Sequence, residues 1–215
     1  MTGAVVFDMD GLLISSEEIW DRVREDLTAE AGGRWGPEAH TDMMGMSTPE
    51  WTGYMHDRLG VVLSPSAIEA EVERRLIDRY RAEPPFIDGA IDAVRGVAAL
   101  GMPMAVASSS TRRLIEAVLE QAGIAGLFAV TVSSEEVERG KPAPDVYLEA
   151  LRRLGVDPAD ATAVEDSGAG IRSAHAAGVR VIAVPNAIYP PGDDALALAD
   201  VVLPTIHGLP EAIAG

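Results

Sequence analysis

Near the start of the chain stands Val5-Val6-Phe7-Asp8-Met9-Asp10-Gly11-Leu12-Leu13, an apolar run that leads into two carboxylates and a glycine. An unbroken row of branched and aromatic residues is typical of a central parallel strand that is covered on both faces. In open α/β sheets, ligands bind beyond the carboxyl ends of such strands. The run therefore predicts a site at Asp8 and Asp10, although two acids and a glycine can also simply cap a strand and turn the chain.

The composition limits the classes of protein to which the chain can belong. Its 215 residues, 47% of them hydrophobic, can fill the core of one domain with an insertion or of two small domains. No apolar run approaches the roughly 18 residues of a membrane span, and no signal-peptide pattern is present, so we expect a cytoplasmic protein. The absence of cysteine excludes disulfides and thiolate metal sites. A net charge of −17 argues against nucleic acid or an anionic membrane as a partner, and we take a monomer as the default.

The segment from Ser16 to about Arg81 is predicted to be a helical insertion. The residues Ser15-Ser16-Glu17-Glu18 are typical of a helix start, because hydroxyls can cap a helix and acids favour its first turn. Helical patterns follow over residues 19–31, 49–59 and 65–81. The chain then returns to its main body at Glu83-Pro84-Pro85-Phe86, since paired prolines stop a helix.

Beyond this insertion, short apolar runs alternate with helical patterns. The predicted strands are 102–107, 128–132, 161–164, 179–184 and 201–203, and the predicted helices are 88–100, 111–122, 145–154 and 169–177. Such alternation indicates βαβ units and a parallel sheet. We therefore predict an α/β fold, in which residues 1–15 and 82–215 form a Rossmann-like parallel sheet core with helices on both faces. A small all-helical cap domain is inserted at 16–81, and 190–194 is predicted to be a surface loop.

Two further strand ends lead into polar residues. Ser108-Ser109-Ser110-Thr111 opens a helix, where hydroxyls and backbone N–H groups can cradle an anion or simply cap the helix. Glu165-Asp166 follows another predicted strand and is succeeded by small residues that open a helix. A second acidic pair beyond a buried strand favours a divalent cation, and carboxylate oxygens suit Mg²⁺.

The chain contains a single lysine, Lys141, among 17 basic residues. It lies in Arg139-Gly140-Lys141-Pro142-Ala143-Pro144-Asp145, where a glycine and two prolines restrict the backbone. A lysine is most often a solvated surface charge. In a chain that otherwise uses arginine, however, the exception indicates a position that requires a compact ammonium.

Taken together, these segments resemble the four motifs of the haloacid dehalogenase-like (HAD) hydrolase superfamily. The motifs, in chain order, are Asp8-x-Asp10-Gly11, Ser108, Lys141 and Glu165-Asp166. A helical insertion between the first and second motifs is similar to the branch that contains phosphoglycolate phosphatase, sugar phosphatases and β-phosphoglucomutase. The resemblance covers essentially the whole chain. One departure is the cap hinge, where the family commonly has Asp-Thr or Asp-Ser and this chain has Ser15-Ser16, which affects hinge electrostatics more than activity.

The resemblance implies a Mg²⁺-dependent hydrolase of small phosphomonoesters, with a sugar phosphate as the expected substrate class. Asp8 would be the nucleophile that forms an aspartyl phosphate, and Asp10 the general acid and base. Ser108, Ser109 and Lys141 would bind the transferring phosphoryl group. The implied magnesium ligands are Asp8, the backbone carbonyl of Asp10, Asp166, and Glu165 either directly or through water.

Other functions on the same fold fit the sequence less well. A phosphonate-cleaving relative uses a cap lysine, and the predicted cap has none. A haloalkanoate dehalogenase has no use for Asp10, for Asp166 or for Mg²⁺. A catalytically silent binding protein would be expected to have lost at least one of the charged motif residues. Asp8, Asp10, Lys141 and Asp166 are all present.

A β-phosphoglucomutase-like mutase is the main alternative, and the cap sequence argues against it. That mutase holds a second phosphate with a lysine just before, and an arginine just after, a Gly-x-Ser segment. The matching segment here, Met44-Gly45-Met46-Ser47-Thr48, has neither cation. The mutase also has a histidine where this chain has Trp20. We expect Trp20, Gly45 and Ser47 to be the candidates for substrate contact in the cap.

Overall fold

The computed structural model describes residues 3–43 and 46–215 and has an α/β fold built on one parallel sheet. The six strands are β1 (Ala4–Phe7), β2 (Met104–Ser108), β3 (Val130–Ser133), β4 (Ala161–Glu165), β5 (Arg180–Ala183) and β6 (Val201–Val202). Their order in the sheet is β3-β2-β1-β4-β5-β6, and every pairing is parallel. The predicted fold class is therefore confirmed, and β1 is a central strand with β2 and β4 as its neighbours.

The α-helices account for most of the remaining regular structure among the described residues, alongside four short 3₁₀ helices. They are α1 (Glu17–Glu30), α2 (Ala39–Met43), α3 (Thr48–Asp57), α4 (Pro65–Ala82), α5 (Ala90–Ala98), α6 (Arg112–Gln121), α7 (Asp145–Leu154), α8 (Gly168–Ala176), α9 (Asp193–Leu196) and α10 (Leu209–Ala214). Every predicted helix and strand is present, with ends that differ from the prediction by no more than two residues. The short helices α2, α9 and α10 were not predicted, since a helix of four to six residues shows too little periodicity. The predicted surface loop 190–194 is wrong at its end, because α9 begins at Asp193.

The chain divides into two compact units. The sheet unit comprises Met1–Ser15 and Pro84–Gly215, and the helical unit comprises Ser16–Glu83. The predicted limits, 1–15 with 82–215 and 16–81, stay a prediction about independent domains. No helix among the described residues is both long and apolar enough to cross a membrane.

In the sheet unit, α7 and α8 pack on one face of the sheet. That face is lined by alternate strand residues, because side chains of a strand point to opposite sides in turn. The strands contribute mostly alanine and valine, namely Ala4, Val6, Ala105, Ala107, Val132, Ala161, Ala163, Val181 and Ala183. These short side chains allow the helices to approach closely, and Tyr147 of α7 is fully buried among them. Phe7 meets Phe128 edge to face, with ring centroids 5.8 Å apart.

In the helical unit, α4 packs against both α1 and α3. An ion pair of 2.6 Å between Arg75 and Glu30 also joins α4 to α1. Helix α3 begins after Ser47, whose backbone N–H and hydroxyl both donate to Glu50, at 2.8 and 2.6 Å. The expected hydroxyl cap of α1 is absent among the described residues, because Ser16 at that position has helical backbone angles and makes no capping hydrogen bond with its side chain.

Candidate active site

The carboxyl ends of three adjacent strands form the candidate site. Because β2, β1 and β4 are neighbours in a parallel sheet, the residues that follow or end them meet at one edge. Asp8 follows β1 and is tied to β4 by its backbone N–H, which donates to the carbonyl oxygen of Val164 at 3.0 Å. Ser108 and Glu165 are the last residues of β2 and β4. All three side chains are buried.

Lys141 enters this cluster from the segment that precedes α7. Its ammonium Nζ donates to Asp8 Oδ1 at 2.5 Å and to Glu165 Oε1 at 2.6 Å. The nitrogen also lies 5.2 Å from the ring centroid of Tyr147, within the range of a cation–π contact. Only 5% of the lysine side chain is exposed, so Lys141 is not a solvated surface charge.

Two contacts hold the segment that carries the lysine. The hydroxyl of Ser173 on α8 donates to the carbonyl oxygen of Ala143 at 2.6 Å. Arg139 donates to Asp145, the first residue of α7, at 2.8 Å. The bond from buried Ser173 fixes the chain that follows Lys141, whereas the Arg139 pair is exposed to water and adds little.

Glu165 is a fully saturated carboxylate. Its Oε1 accepts from Lys141 and from the hydroxyl of Tyr147 at 2.5 Å. Its Oε2 accepts from the backbone N–H of Asp166 at 3.2 Å and from the hydroxyl of Ser167 at 3.3 Å. These four bonds use the approximately four lone-pair sites that an ionised carboxylate offers. A side chain at Gly170 would collide with this group, since its Cβ would lie 1.9 Å from Oε2.

Only one of the two carboxylate oxygens of Asp166 accepts a hydrogen bond from the described residues. Its Oδ2 accepts from the side-chain amide of Asn186 at 3.3 Å. That amide is oriented by its own oxygen, which accepts from the backbone N–H groups of Ile188 and Tyr189. The other oxygen, Oδ1, is buried and has no hydrogen-bond partner among residues 3–43 and 46–215. Gly11 is required beside it, because its φ is +83° and a Cβ there would lie 1.9 Å from Asp166 Oδ2.

Asp10 likewise accepts hydrogen bonds from the described residues through only one of its two carboxylate oxygens. Its Oδ2 accepts from the hydroxyls of Ser108 at 3.2 Å and Ser110 at 2.7 Å, whereas Oδ1 is buried and has no hydrogen-bond partner in the part of the chain that the structure describes. Ser108 also accepts from the backbone N–H of Ser110 at 3.0 Å. Ser109 is exposed. The hydroxyl of Thr111 accepts from the backbone N–H of Leu114, so this segment caps α6 as well as lining the site.

The buried acids outnumber the positive charge near them. Burial raises the pKa of Asp8 from 3.8 to about 8, with Glu165 and Asp10 adding to the rise and Lys141 opposing it. The pKa of Asp166 is raised well above its usual range, chiefly by burial and then by Asp8 and Glu165. Burial acts to lower the pKa of Lys141, but Asp8 and Glu165 reverse this and raise it. One ammonium therefore does not offset the carboxylates packed around it.

A cation site is compatible with this geometry. One oxygen from each of Asp8, Glu165 and Asp166 lies within 4.8 Å of the other two. Oxygen ligands of this kind suit a hard divalent cation. The unpartnered Oδ1 of Asp166 supports such a site, because a buried carboxylate oxygen without a donor is costly unless it has a ligand.

The structure brings together the predicted residues of the sheet unit. Hydrogen bonds join Asp8, Lys141, Glu165 and Asp166 into one group and Asp10 with Ser108 into a second, and the two groups lie close enough for Asp10 to raise the pKa of Asp8. Ser109 is adjacent in sequence. The roles assigned to them stay predictions. Sequence reasoning missed Ser110, Tyr147 and Asn186. Ser110 and Tyr147 lay within quoted or predicted segments, but nothing in the sequence showed which side chain would reach a carboxylate.

The three cap candidates are not tested as substrate contacts. Gly45 lies outside the described residues. Ser47 caps α3, as described above. Trp20 packs edge to face against Trp51, with centroids 6.1 Å apart, and Arg24 lies over both rings. Arg24 was also missed, because the arginine-rich composition gave no reason to single out one arginine, although it follows Trp20 by one helical turn.

Comparison with known proteins places the chain in a family. A family model described as haloacid dehalogenase-like hydrolase matches residues 5–184. Hexitol phosphatase B of Escherichia coli (strain K12) is 33% identical over 96% of this chain and 93% of its own length. A bifunctional riboflavin kinase/FMN phosphatase of Arabidopsis thaliana is 30% identical over 86% of this chain, and the match spans about half of that protein, 49%.

A solved structure shows the same fold over nearly the whole chain. CbbY from Rhodobacter sphaeroides in complex with phosphate superposes with a TM-score of 0.86 at 27% identity, covering 97% of this chain and 96% of that one. A variant of that protein has been solved with xylulose-(1,5)-bisphosphate, with a TM-score of 0.84. The match of the family model over most of the chain, together with these relatives, means that the chain belongs to the haloacid dehalogenase-like hydrolases.

Proposed function

We propose that this HAD-type phosphatase hydrolyses phosphate monoesters of small metabolites through a covalent intermediate on Asp8. The observation that carries the proposal is the buried contact of 2.5 Å between Asp8 and the only lysine of the chain, at the end of the central strand. Relatives named as phosphatases, hexitol phosphatase B among them, support a phosphorylated metabolite as substrate. We retain a sugar phosphate as the expected class.

The reaction would proceed in two displacements. A carboxylate oxygen of Asp8 attacks phosphorus, the bond between phosphorus and the ester oxygen breaks, and the leaving oxygen takes a proton from Asp10. Water then attacks the aspartyl phosphate and gives a proton to Asp10, which releases inorganic phosphate and restores Asp8. Because Asp10 Oδ2 accepts two serine hydroxyls, its unpartnered Oδ1 is the oxygen suited to carry this proton.

Lys141 would stabilise the negative charge that the two displacements move. Its ammonium is already fixed between two carboxylates, so it needs no reorganisation when charge develops on the phosphoryl oxygens. Ser108 and Ser109, at the segment that opens α6, would donate to those oxygens. For Ser108 this requires an exchange of its hydrogen bond from Asp10 to the phosphoryl group.

Mg²⁺ is the proposed cofactor, held by Asp8, Asp166 and the backbone carbonyl of Asp10. When bound, it would neutralise charge on the nucleophile and on the phosphoryl group. Both oxygens of Glu165 already accept hydrogen bonds, so we propose that Glu165 acts on the cation only through water. Its direct role is to position Lys141. A cytoplasmic location and a monomeric state also stay predictions.

The test is a panel of phosphomonoesters, including p-nitrophenyl phosphate, assayed for phosphate release with and without EDTA. Hydrolysis of at least one ester, lost on chelation and restored by Mg²⁺, would support the proposal. No release from any ester would favour the silent binding protein or the dehalogenase, and full phosphate release in EDTA would remove Mg²⁺ from the proposal.

The mutase alternative needs a separate assay, in which β-glucose 1-phosphate is supplied with a trace of the 1,6-bisphosphate. We expect phosphate release without isomer formation, because the cations that flank Gly-x-Ser in the mutase are replaced here by Met44 and Thr48. Glucose 6-phosphate that appears faster than inorganic phosphate would overturn the choice of hydrolase over mutase.

A further inference from the structure

Arg24 of α1 holds its guanidinium against two tryptophan rings of the helical unit. Its Cζ lies 4.7 Å from the ring centroid of Trp20 and 4.7 Å from that of Trp51. Trp20 precedes it by four residues on the same helix face, and Trp51 comes from α3. Both distances are within the range of a cation–π attraction, and two rings standing at 80° to each other restrict the plane of the guanidinium.

At least one N–H donor of the Arg24 guanidinium is unused among the described residues. Its Nε is buried and has no hydrogen-bond partner within 3–43 and 46–215, the residues that the structure describes. Burial lowers the pKa of Arg24 to about 10, although the neighbouring carboxylate of Asp21 opposes the shift. That carboxylate accepts from His40 and forms no ion pair with Arg24 within the described residues. Arginine carries five N–H donors and no acceptor, so the guanidinium remains available to an acceptor that the described residues do not supply.

Two other arginines of the same unit have carboxylate partners, whereas further ones without such a partner among the described residues, Arg22 among them, are exposed and Arg24 is half-buried. Arg74 bonds to Glu71 and Asp78, and Arg75 bonds to Glu71 and Glu30, at 2.6 to 3.1 Å. The chain has 34 acidic residues against 17 basic ones, so a shortage of acids does not explain why Arg24 has no such partner. A partly desolvated cation is costly without an anion or hydrogen bonds, and the aromatic faces offset only part of that cost.

We propose that Arg24, oriented by Trp20 and Trp51, binds an oxyanion, either a carboxylate or a phosphate group. A planar guanidinium whose orientation is fixed by aromatic rings can donate to both oxygens of such a group at once. The anion has two sources of the same chemistry. It is either a second acidic group on the phosphorylated substrate, in which case the inference rests on the proposed function, or a separate small anion, in which case it does not.

The first part of the test asks whether an anion binds at Arg24, and tryptophan fluorescence is the measurement. All three tryptophans lie in the helical unit, and two of them contact Arg24. Inorganic phosphate and malonate should change the emission of the wild type saturably. Arg24→Met, which keeps a long apolar stem, should abolish that change, and Arg24→Lys should weaken the affinity on the order of tenfold because the fork is lost.

The matched control is Arg22→Met, at an exposed arginine of the same helix. It should titrate like the wild type, and circular dichroism should confirm that each variant is folded. If Arg24→Met fails to fold, the anion affinity of Arg24→Lys is the deciding measurement. An affinity equal to that of the wild type would overturn the proposal. It would also be overturned if no anion perturbs the wild type, or if the saturable change survives Arg24→Met.

Steady-state kinetics then separate the two sources. For 3-phosphoglycerate, which carries a carboxylate, Arg24→Met should raise KM about tenfold or more if the anion belongs to the substrate. For glycerol 3-phosphate, which lacks the carboxylate, KM should not change. If Arg24→Met loses the fluorescence response but changes the KM of both esters equally, the site binds a separate anion. If the wild type hydrolyses no ester, the proposed function fails, whereas the fluorescence titration still tests the oxyanion site.

Discussion

Gly11→Ala is expected to disable the site by displacing a carboxylate, beyond its effect on the backbone. Gly11 has a φ of +83°, and a non-glycine residue in the left-handed region costs about 1–2 kcal/mol of stability. The new Cβ would lie 1.9 Å from Asp166 Oδ2, which must retreat by about 1.5 Å to reach ordinary contact. Since a misplacement of about 1 Å in a site can cost about 100-fold in rate, we expect kcat/KM to fall at least that much, or about 2.7 kcal/mol.

Gly101→Ala is the matched control for this change. Gly101 has nearly the same φ, +80°, but no atom of the described residues beyond its own chain neighbours lies within 4 Å of the position that a Cβ would take. Urea unfolding should show similar losses of stability for the two variants. The kcat/KM for p-nitrophenyl phosphate, measured at saturating Mg²⁺, should fall only for Gly11→Ala, and that variant should also need more Mg²⁺ for half-maximal activity. If the two variants kept kcat/KM within about threefold of each other, the close approach of Gly11 to Asp166 would have no functional consequence.

Three further changes probe the chemistry of the cluster directly. Asp8→Asn should abolish turnover while leaving the circular dichroism unchanged, because the amide is nearly isosteric but not nucleophilic; activity near that of the wild type would remove Asp8 from its role. Replacement of Mg²⁺ by Ca²⁺ after chelation should not restore phosphate release, because Ca²⁺ takes more ligands at longer distances, and equal rates with both ions would contradict a geometric role for the cation. Lys141→Arg should lose most of kcat despite keeping its charge, whereas Arg139→Lys at an exposed position nearby should be nearly silent. A silent Lys141→Arg would make the single lysine an accident of composition.

The residues that could be predicted from the sequence are those at strand ends. A parallel sheet aligns the carboxyl ends of its strands, so apolar runs that lead into Asp8, Ser108 and Glu165 predict that these residues lie at one edge of the sheet. That they are neighbours there depends on β1 lying between β2 and β4, which only the structure shows. The alternation of strands and helices predicted the fold class, and the helical patterns between Ser16 and Arg81 predicted the helical unit.

The residues that sequence reasoning missed act through contacts that have no local pattern. Tyr147 resembles any core aromatic of an amphipathic helix until its hydroxyl is seen to donate to Glu165. Asn186 follows β5 in an irregular segment, and only the fold brings it to Asp166. Arg24 was missed for a different reason. The chain is rich in arginine, and only the surroundings of Arg24 in the structure distinguish it from the other arginines.

The adjacent acids Glu165 and Asp166 show why composition and spacing could not assign individual roles. Both follow from one strand, and both are buried, yet the first has all its acceptor sites filled by Lys141, Tyr147 and two local donors. The second has one oxygen held by Asn186 and one without a partner. A saturated carboxylate can fix the position of an ammonium, whereas a half-occupied one can accept a cation. The division of labour that we propose, with Glu165 positioning Lys141 and Asp166 holding Mg²⁺, therefore rests on which hydrogen bonds the fold has already made.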